Sequence, residues 1–325
     1  MGSVKYLQSF EQLKLLADPR RYAILQQLMA GPASLTVLGK ALGEHPAWIR
    51  HHLKKLEAAG LVELVEVHIQ SGVVEKFYRA CADGFLVQEL IVPEKTAHPV
   101  VVFSGSHDLA FGLLADLVSD YLDVLTMTVG SLDGLIALRQ NLCHLSGTHL
   151  LDPGGEYNVP FIRHFFPDRP MHLITLAHRE QGLMTAAGNP KSIRSLMDLT
   201  RPEVTFVNRN PGSGTRLWFD NHLLEKGISP GAIHGYENTV STHTACASLI
   251  HSGKADAALG LRASAHQFGL DFIPLFHERY DLVFMHDQSQ SLAPLLDTLQ
   301  AHSFRHSVTA LTGYDTTHTG EEIPL

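Results

Sequence analysis

Cysteine is scarce in this 325-residue sequence: Cys81, Cys143 and Cys246 stand far apart. Their spacing offers neither a disulfide framework nor a Cys/His zinc quartet, so reduced, buried thiols are expected. No run of about 18 apolar residues occurs, so no membrane-spanning helix is expected. The opening stretch, MGSVKYLQSFEQLKLLADPRR, lacks the basic region, apolar core and cleavage site of an export signal. A cytoplasmic location is the expectation that follows. GxxxxGK[ST], HExxH and GxSxG are all missing, which counts against a nucleotide-triphosphate loop, a zinc protease and a serine nucleophile elbow. Neither an enzyme nor a cofactor is therefore expected. The 21 histidines include His144 and His149 but show no metal-ligand spacing, so packing and surface roles are expected and no cation site is assigned.

Positive charge is also short, with 25 Lys+Arg against 33 Asp+Glu. The deficit is uneven. Residues 1–80 hold ten basic and seven acidic side chains, and the remainder holds fifteen and twenty-six. A polyanion would be drawn to the first segment and repelled by the second.

What is present in that first segment is a helical apolar period. Leu13, Leu16 and Ala17, then Tyr22, Ile24, Leu25 and Leu28, fit two helices broken near Asp18-Pro19. Gly31-Pro32 ends the second, and Ser34 can cap a short helix, Leu35 to Leu42, that stops at Gly43. His45 to Ala59 reads as a longer helix with Ile49, Leu53 and Leu56 inward and Arg50, His51, Lys54 and Lys55 outward. After Gly60 the period changes to two in Leu61–Gln70 and Val73–Ala80, with Ser71-Gly72 as the turn. This is the order of a winged helix. A basic helix face by itself is ordinary solvated surface; the surrounding pattern assigns this one to DNA, with Trp48, Arg50, His51, Lys54 and Lys55 as the expected contacts.

Residues 81–98 read as a linker, and from Pro99 strand-like runs alternate with helical ones, as in α/β units. The four strand ends break into glycine and hydroxyl residues: Ser104-Gly105-Ser106, Gly130-Ser131, Ser146-Gly147-Thr148 and Gly212-Ser213-Gly214-Thr215. Glycine lets backbone approach a ligand, hydroxyls donate hydrogen bonds, and the following helix offers free N–H groups, which together suit an oxyanion. Residues 311–325 read as a polar, flexible tail.

Two resemblances sharpen this reading. The stretch LADPRRYAILQQL…HHLKKLEAAGLVE resembles the ArsR-like winged helix-turn-helix repressors over about 70 residues, which implies a homodimer on a double-stranded DNA operator. The short helix reads SLTVLGKALG, without the cysteines of metal-sensing members. Residues 100–285, through GTHLLDPGGEYNVPFI, REQGLMTAAGNPKSI, FVNRNPGSGTRLWFD and ADAALGLRASAHQFGLDFIPLFHERYDLVF, resemble the type II periplasmic-binding-protein-like domain of molybdate-binding type. The implied fold class is α/β: a winged helix-turn-helix over 1–80, then two α/β lobes over 99–310 with a crevice between them. The expected ligand contacts are Ser104, Ser106 and Ser131 from one lobe and Ser213, Thr215, Arg216, Thr242 and His243 from the other, with Thr148, Tyr157 and Gln181 beside them. Arg216 can neutralise a dianion, with Arg209 as its competitor for that role and pairing with a surface carboxylate as the other reading of either; Thr242 and His243 also read as a plain helix cap. The implied function is a regulator sensing molybdate or tungstate. Sulfate, phosphate, an organic acid or molybdenum cofactor remain open as effectors, and a transport binding protein or an enzyme as other classes.

Overall fold

Short-range chemistry starts the helices of the first unit. The strand β1 (Val4–Tyr6) and the helix α1 (Phe10–Leu16) lead to Asp18, whose carboxylate accepts the Arg20 N–H at 2.9 Å and opens α2 (Pro19–Ala30) with proline in the first turn. Ser34, at the end of β2 (Ala33–Ser34), caps α3 (Leu35–Leu42), and Gly43 ends it at φ 69°. The His45 ring caps α4 (Pro46–Ala58). Then come the hairpin strands β3 (Val62–Gln70) and β4 (Val73–Ala80), with β2 on the outer side of β4. Ile24, Leu25, Leu28, Leu38, Ile49, Leu53 and Leu56 bury the shared face of α2, α3 and α4. Each contributes about 1.5–3 kcal/mol.

This computed structural model describes residues 3–7, 9–70, 73–87, 91 and 97–325, so the expected turn at Ser71-Gly72 and much of the expected linker lie outside the described residues. The chain divides into two units, Met1–Leu90 and Ile91–Leu325. The start of the expected linker belongs to the first unit: β5 (Gly84–Leu86) pairs in parallel with β1. Leu7 and Phe85 carry enough apolar surface to join that unit's core, which is why the segment is not free.

The second unit is built on a nine-stranded sheet among the described residues. Its first lobe contains β6 (Val100–Gly105), α5 (Leu109–Leu117), β7 (Asp123–Thr128), α6 (Ser131–Arg139), β8 (Leu145–Thr148) and α7 (Val159–Phe165). The long β9 (Met171–Thr185) crosses to the second lobe, made of β10 (Phe206–Arg209), α8 (Gly214–Glu225), β11 (Thr239–Val240), α9 (His243–His251), β12 (Ala257–Leu261) and α10 (Arg262–Gln267). The equally long β13 (Asp271–Met285) returns, followed by α11 (Ser289–Gln300), α12 (His302–Thr309) and β14 (Tyr314–Asp315).

The strand order is β11-β10-β12-β9-β13-β8-β6-β7. Pairs within each lobe are parallel (β6 with β7 and β8, β10 with β11 and β12), and the β9–β13 ribbon between them is antiparallel. Near-continuous apolar strands suit sheets covered by helices on both faces. The first lobe packs Phe103, Phe111, Leu282 and Phe304 together; the second has its own core around Phe206, Phe219 and Leu259.

Residues 311–325 are not the flexible tail expected from their polarity. Tyr314 pairs opposite Arg179, the Thr175 N–H donates to Glu321 O while Thr175 O accepts from the Gly320 N–H, and Tyr314 and Thr319 are buried. The first-lobe half of β9 has β13 along one edge, and the segment supplies partners for the other edge, which would otherwise leave backbone groups open. Among the described residues no helix is long and apolar enough to cross a membrane. All three cysteines are free thiols.

Candidate ligand crevice and nucleic-acid interface

The glycine-rich strand ends converge where the two lobes meet. Leu132 N–H donates to Gly212 O at 3.2 Å, and the Asn210 amide donates to Val129 O at 2.8 Å, so the lobes are in contact. Glycine is required at this contact. Gly130 has φ 115°, and a Cβ there would lie 3.1 Å from Gly212 backbone; a Cβ on Gly214 would lie 2.5 Å from His149. Gly147 has even less room, with its Cβ position 2.0 Å from the Tyr280 hydroxyl.

Behind these turns lies a fully buried polar chain. Tyr314 and Arg179 both donate to Asp108 at 2.6 Å. Arg179 Nε also donates to Glu278 Oε1 at 2.6 Å, and the Gln181 amide donates to the same oxygen. Glu278 Oε2 lies 2.8 Å from His149 Nδ1, and His149 Nε2 lies 2.9 Å from Ser106 Oγ. The ring of Tyr280 stacks on Arg179, and its hydroxyl donates to Ser106 O. Burial would raise the Glu278 carboxyl, but the Arg179 charge, with hydrogen bonds donated by His149 and Gln181, outweighs it and holds it down to about 2. Burial would likewise lower Arg179, yet Glu278 and Asp108 keep it above its ordinary value.

Several polar atoms facing this chain lack partners among the described residues. They include Arg209 Nε and Nη1, Arg179 Nη2, both ring nitrogens of His243, His107 Nδ1, Ser104 Oγ and Gln181 Oε1. Arg209 is 1 % exposed; its Nη2 donates to Ser241 O at 2.8 Å, and burial lowers the guanidinium to about 10, still charged at neutral pH. Burial, assisted by Arg209 and Arg179, holds His243 well below its ordinary value. It also brings His107 down to about 4, although Asp108 pulls the other way. Both imidazoles are neutral at pH 7, and their depression comes chiefly from burial, with Arg209 and Arg179 adding to it.

The sequence-derived residues divide into two groups. Ser104, Ser106, Ser131, Gln181, Ser213, Thr215 and His243 are all buried in the region where the lobes meet. Ser131 Oγ accepts the His149 N–H, Ser213 Oγ caps α8 at Arg216, Thr215 Oγ1 accepts from Gln181, and Thr242 Oγ1 caps α9. Thr148 is bonded instead to Asn158, and Tyr157 to His277 O. Arg216 is paired with a carboxylate, the other reading of it. Its Nε lies 2.9 Å from both Asp220 oxygens, and its guanidinium stacks 4.2 Å from the Tyr236 ring, because the α8 turn directs it to the residue four positions on. Among the described residues the buried guanidinium of Arg209 has no ion pair, and its Nε and Nη1 have no hydrogen-bond partner. His107, Asp108, His149, Arg179, Glu278 and Tyr280 were missed. A signal existed: His178-Arg179-Glu180 and His277-Glu278-Arg279 are charged triplets inside otherwise apolar strands.

On α4, Arg50, His51, Lys54 and Lys55 are exposed along one face, while Ile49, His52, Leu53 and Leu56 are buried. Trp48 is half-buried; its ring lies 4.3 Å from that of His52 and 5.5 Å from the Arg20 guanidinium. Its packing adds Arg20 to the exposed basic face.

Comparison with known proteins follows the same division. A sequence profile described as a helix-turn-helix domain matches residues 16–65, and one described as a PBP superfamily domain matches residues 115–300. The chain is 34% identical over 233 residues to the uncharacterized protein YvgK of Bacillus subtilis (strain 168), covering 71% of this chain and 75% of that one. It is 35% identical over 108 residues to an uncharacterized protein in the ferredoxin 2Fe-2S gene 5' region of Clostridium pasteurianum, covering 32% of this chain and 96% of that one. Among solved structures, it is similar to a putative phosphate ABC transporter substrate-binding protein with bound phosphate from Clostridium perfringens, with TM-score 0.49 and 13% identity over 65% of this chain and 97% of that one. A helix-turn-helix domain followed by an α/β domain with a mixed sheet is therefore the architecture of this chain, and by its matched region, more than half its length, the chain belongs to the PBP superfamily.

Proposed function

We propose that this chain is a ligand-responsive DNA-binding regulator whose crevice senses a small oxyanion. The observation that carries this reading is Arg209: a charged guanidinium, 1 % exposed, with two donor atoms that have no partner among the described residues. A buried charge without a counter-charge is costly, and an anion between the lobes would supply one. Ser104, His243 and Arg179 would add donors around it. The lobes close on the ligand, and closure is coupled to α4 in a homodimer bound to a pseudo-palindromic operator. A coupling of about 1–3 kcal/mol changes operator affinity roughly 5- to 150-fold. Molybdate and tungstate, implied by the sequence resemblance, are the first effectors to try, with sulfate and phosphate beside them.

The test is calorimetric titration of the full chain with these four anions at matched ionic strength, followed by binding to DNA from its own promoter with and without the anion. Saturable binding lost in Arg209→Gln, with a shift in DNA affinity, supports the reading. Anion binding that leaves DNA affinity unchanged removes the regulatory half of it. A second reading, hydrolysis, is favoured by the Ser106–His149–Glu278 series, which has the order of a serine nucleophile, its base and an orienting acid. Against it, the Ser106 N–H is already bonded to Gly147 O and cannot stabilise an oxyanion. Ester turnover abolished in Ser106→Ala would establish that second reading.

A further inference from the structure

The directions of the hydrogen bonds around Glu278 narrow the class of ligand, given the crevice reading above. Glu278 is an ionised carboxylate and can only accept, so the His149 Nδ1 that faces its Oε2 at 2.8 Å carries the proton. His149 is held neutral by burial, which leaves a lone pair on Nε2. The Ser106 hydroxyl, 2.9 Å away, must donate to that lone pair. Its proton is thereby committed, and Ser106 Oγ offers lone pairs alone to anything in the crevice.

Gln181 is oriented by the same carboxylate. Its Nε2 faces Glu278 Oε1 and Thr215 Oγ1, so its Oε1 points the other way, buried and without a partner among the described residues. Two acceptors of fixed direction, one from each side of Glu278, therefore accompany the unpartnered donors of Arg209 and Arg179.

We infer that the crevice selects an oxyanion that itself carries a hydrogen-bond donor, an acid hydroxyl or an adjoining alcohol, over one whose oxygens only accept. A fully deprotonated tetrahedral anion satisfies Arg209 and leaves Ser106 Oγ and Gln181 Oε1 facing its own lone pairs. Sites built to receive a ligand hydroxyl reject the analogue without one by large factors. Molybdate, tungstate and sulfate fall on the disfavoured side. Hydrogen phosphate and a hydroxycarboxylate fall on the favoured side.

The experiment is calorimetric titration of the full chain at neutral pH with phosphate, glycolate, acetate, sulfate and molybdate. Phosphate is expected to bind at least ~10-fold more tightly than sulfate and molybdate, or glycolate at least ~10-fold more tightly than acetate. Which of these two preferences appears identifies the donor as an acid oxygen or an alcohol. Ser106→Ala is expected to narrow that gap, whereas Arg209→Gln weakens every probe. Sulfate or molybdate binding as tightly as the donor-bearing probes, and still lost in Arg209→Gln, overturns this inference and leaves the oxyanion reading intact. Silence with every probe overturns both. The ranking on the unmodified protein decides the matter even if a variant fails to fold.

Discussion

The two units present basic side chains in opposite ways. On α4 the cations Arg50, Lys54 and Lys55 are exposed, form no ion pair among the described residues, and stand in a region where base exceeds acid. Between the lobes, Arg179 and Arg209 are fully buried in a segment where acid exceeds base. In water an exposed cation is screened and contributes a little at a time, so an interface with DNA is built by adding several. Away from water one uncompensated guanidinium can decide whether a ligand binds, and its neighbours must be arranged around it. Net charge over the whole chain says little about either site.

That contrast can be broken most forcefully at Glu278. Glu278→Gln leaves Arg179 with one carboxylate fewer and is expected to destabilise the second unit by about 3–5 kcal/mol. Urea unfolding followed at Trp218, with Trp48 replaced by Phe, checks it; the converse single-tryptophan protein should show little change in the first unit. Acid should act on the same group. Its carboxyl is lowered from 4.5 to about 2 in the folded protein, so its stabilising contribution is complete above about pH 4.5 and is lost as pH falls toward 2. The buried histidines act in the same direction from a higher pH. Below 6.5 the unfolded chain binds protons that folded His107 refuses until about 4. An unfolding midpoint that did not fall between pH 6.5 and 4 would contradict this assignment.

Arg209→Met tests whether the buried cation serves binding at the expense of stability. Anion affinity is expected to fall by about 100-fold or more, while the ligand-free second unit gains roughly 1–4 kcal/mol because a buried charge is replaced by an apolar chain. Calorimetry and urea titration of the same sample read both. Tyr314→Phe removes one hydrogen bond to Asp108 and should cost about 1 kcal/mol, with a modest loss of anion affinity if Asp108 no longer holds Arg179 in place. The smallest effect is expected on the exposed face. Lys54→Ala should weaken DNA binding a few-fold for all sequences and lower the slope of log affinity against log salt by about 1.

Local chemistry was legible in advance. Asp18-Pro19, Ser34 and Gly43 act through neighbours within four positions, so the helix starts and stops of the first unit could be read directly, and the change to period two located the hairpin. The glycine-hydroxyl strand ends likewise pointed to where the lobes meet. The structural role of the final fifteen residues was not legible, because their polarity says nothing about the open edge of β9 that receives them.

The sequence by itself determined the helix starts and stops of the first unit, since capping, period and glycine conformation depend on adjacent residues. Tertiary structure alone decided which arginine is left without a counter-charge. Arg216 finds Asp220 within its own helix, whereas Arg179 meets Glu278 across 99 positions of chain and Arg209 meets no carboxylate hydrogen-bond partner among the described residues. Pairings of that kind depend on strand register and on closure of the lobes, and a linear pattern contains neither.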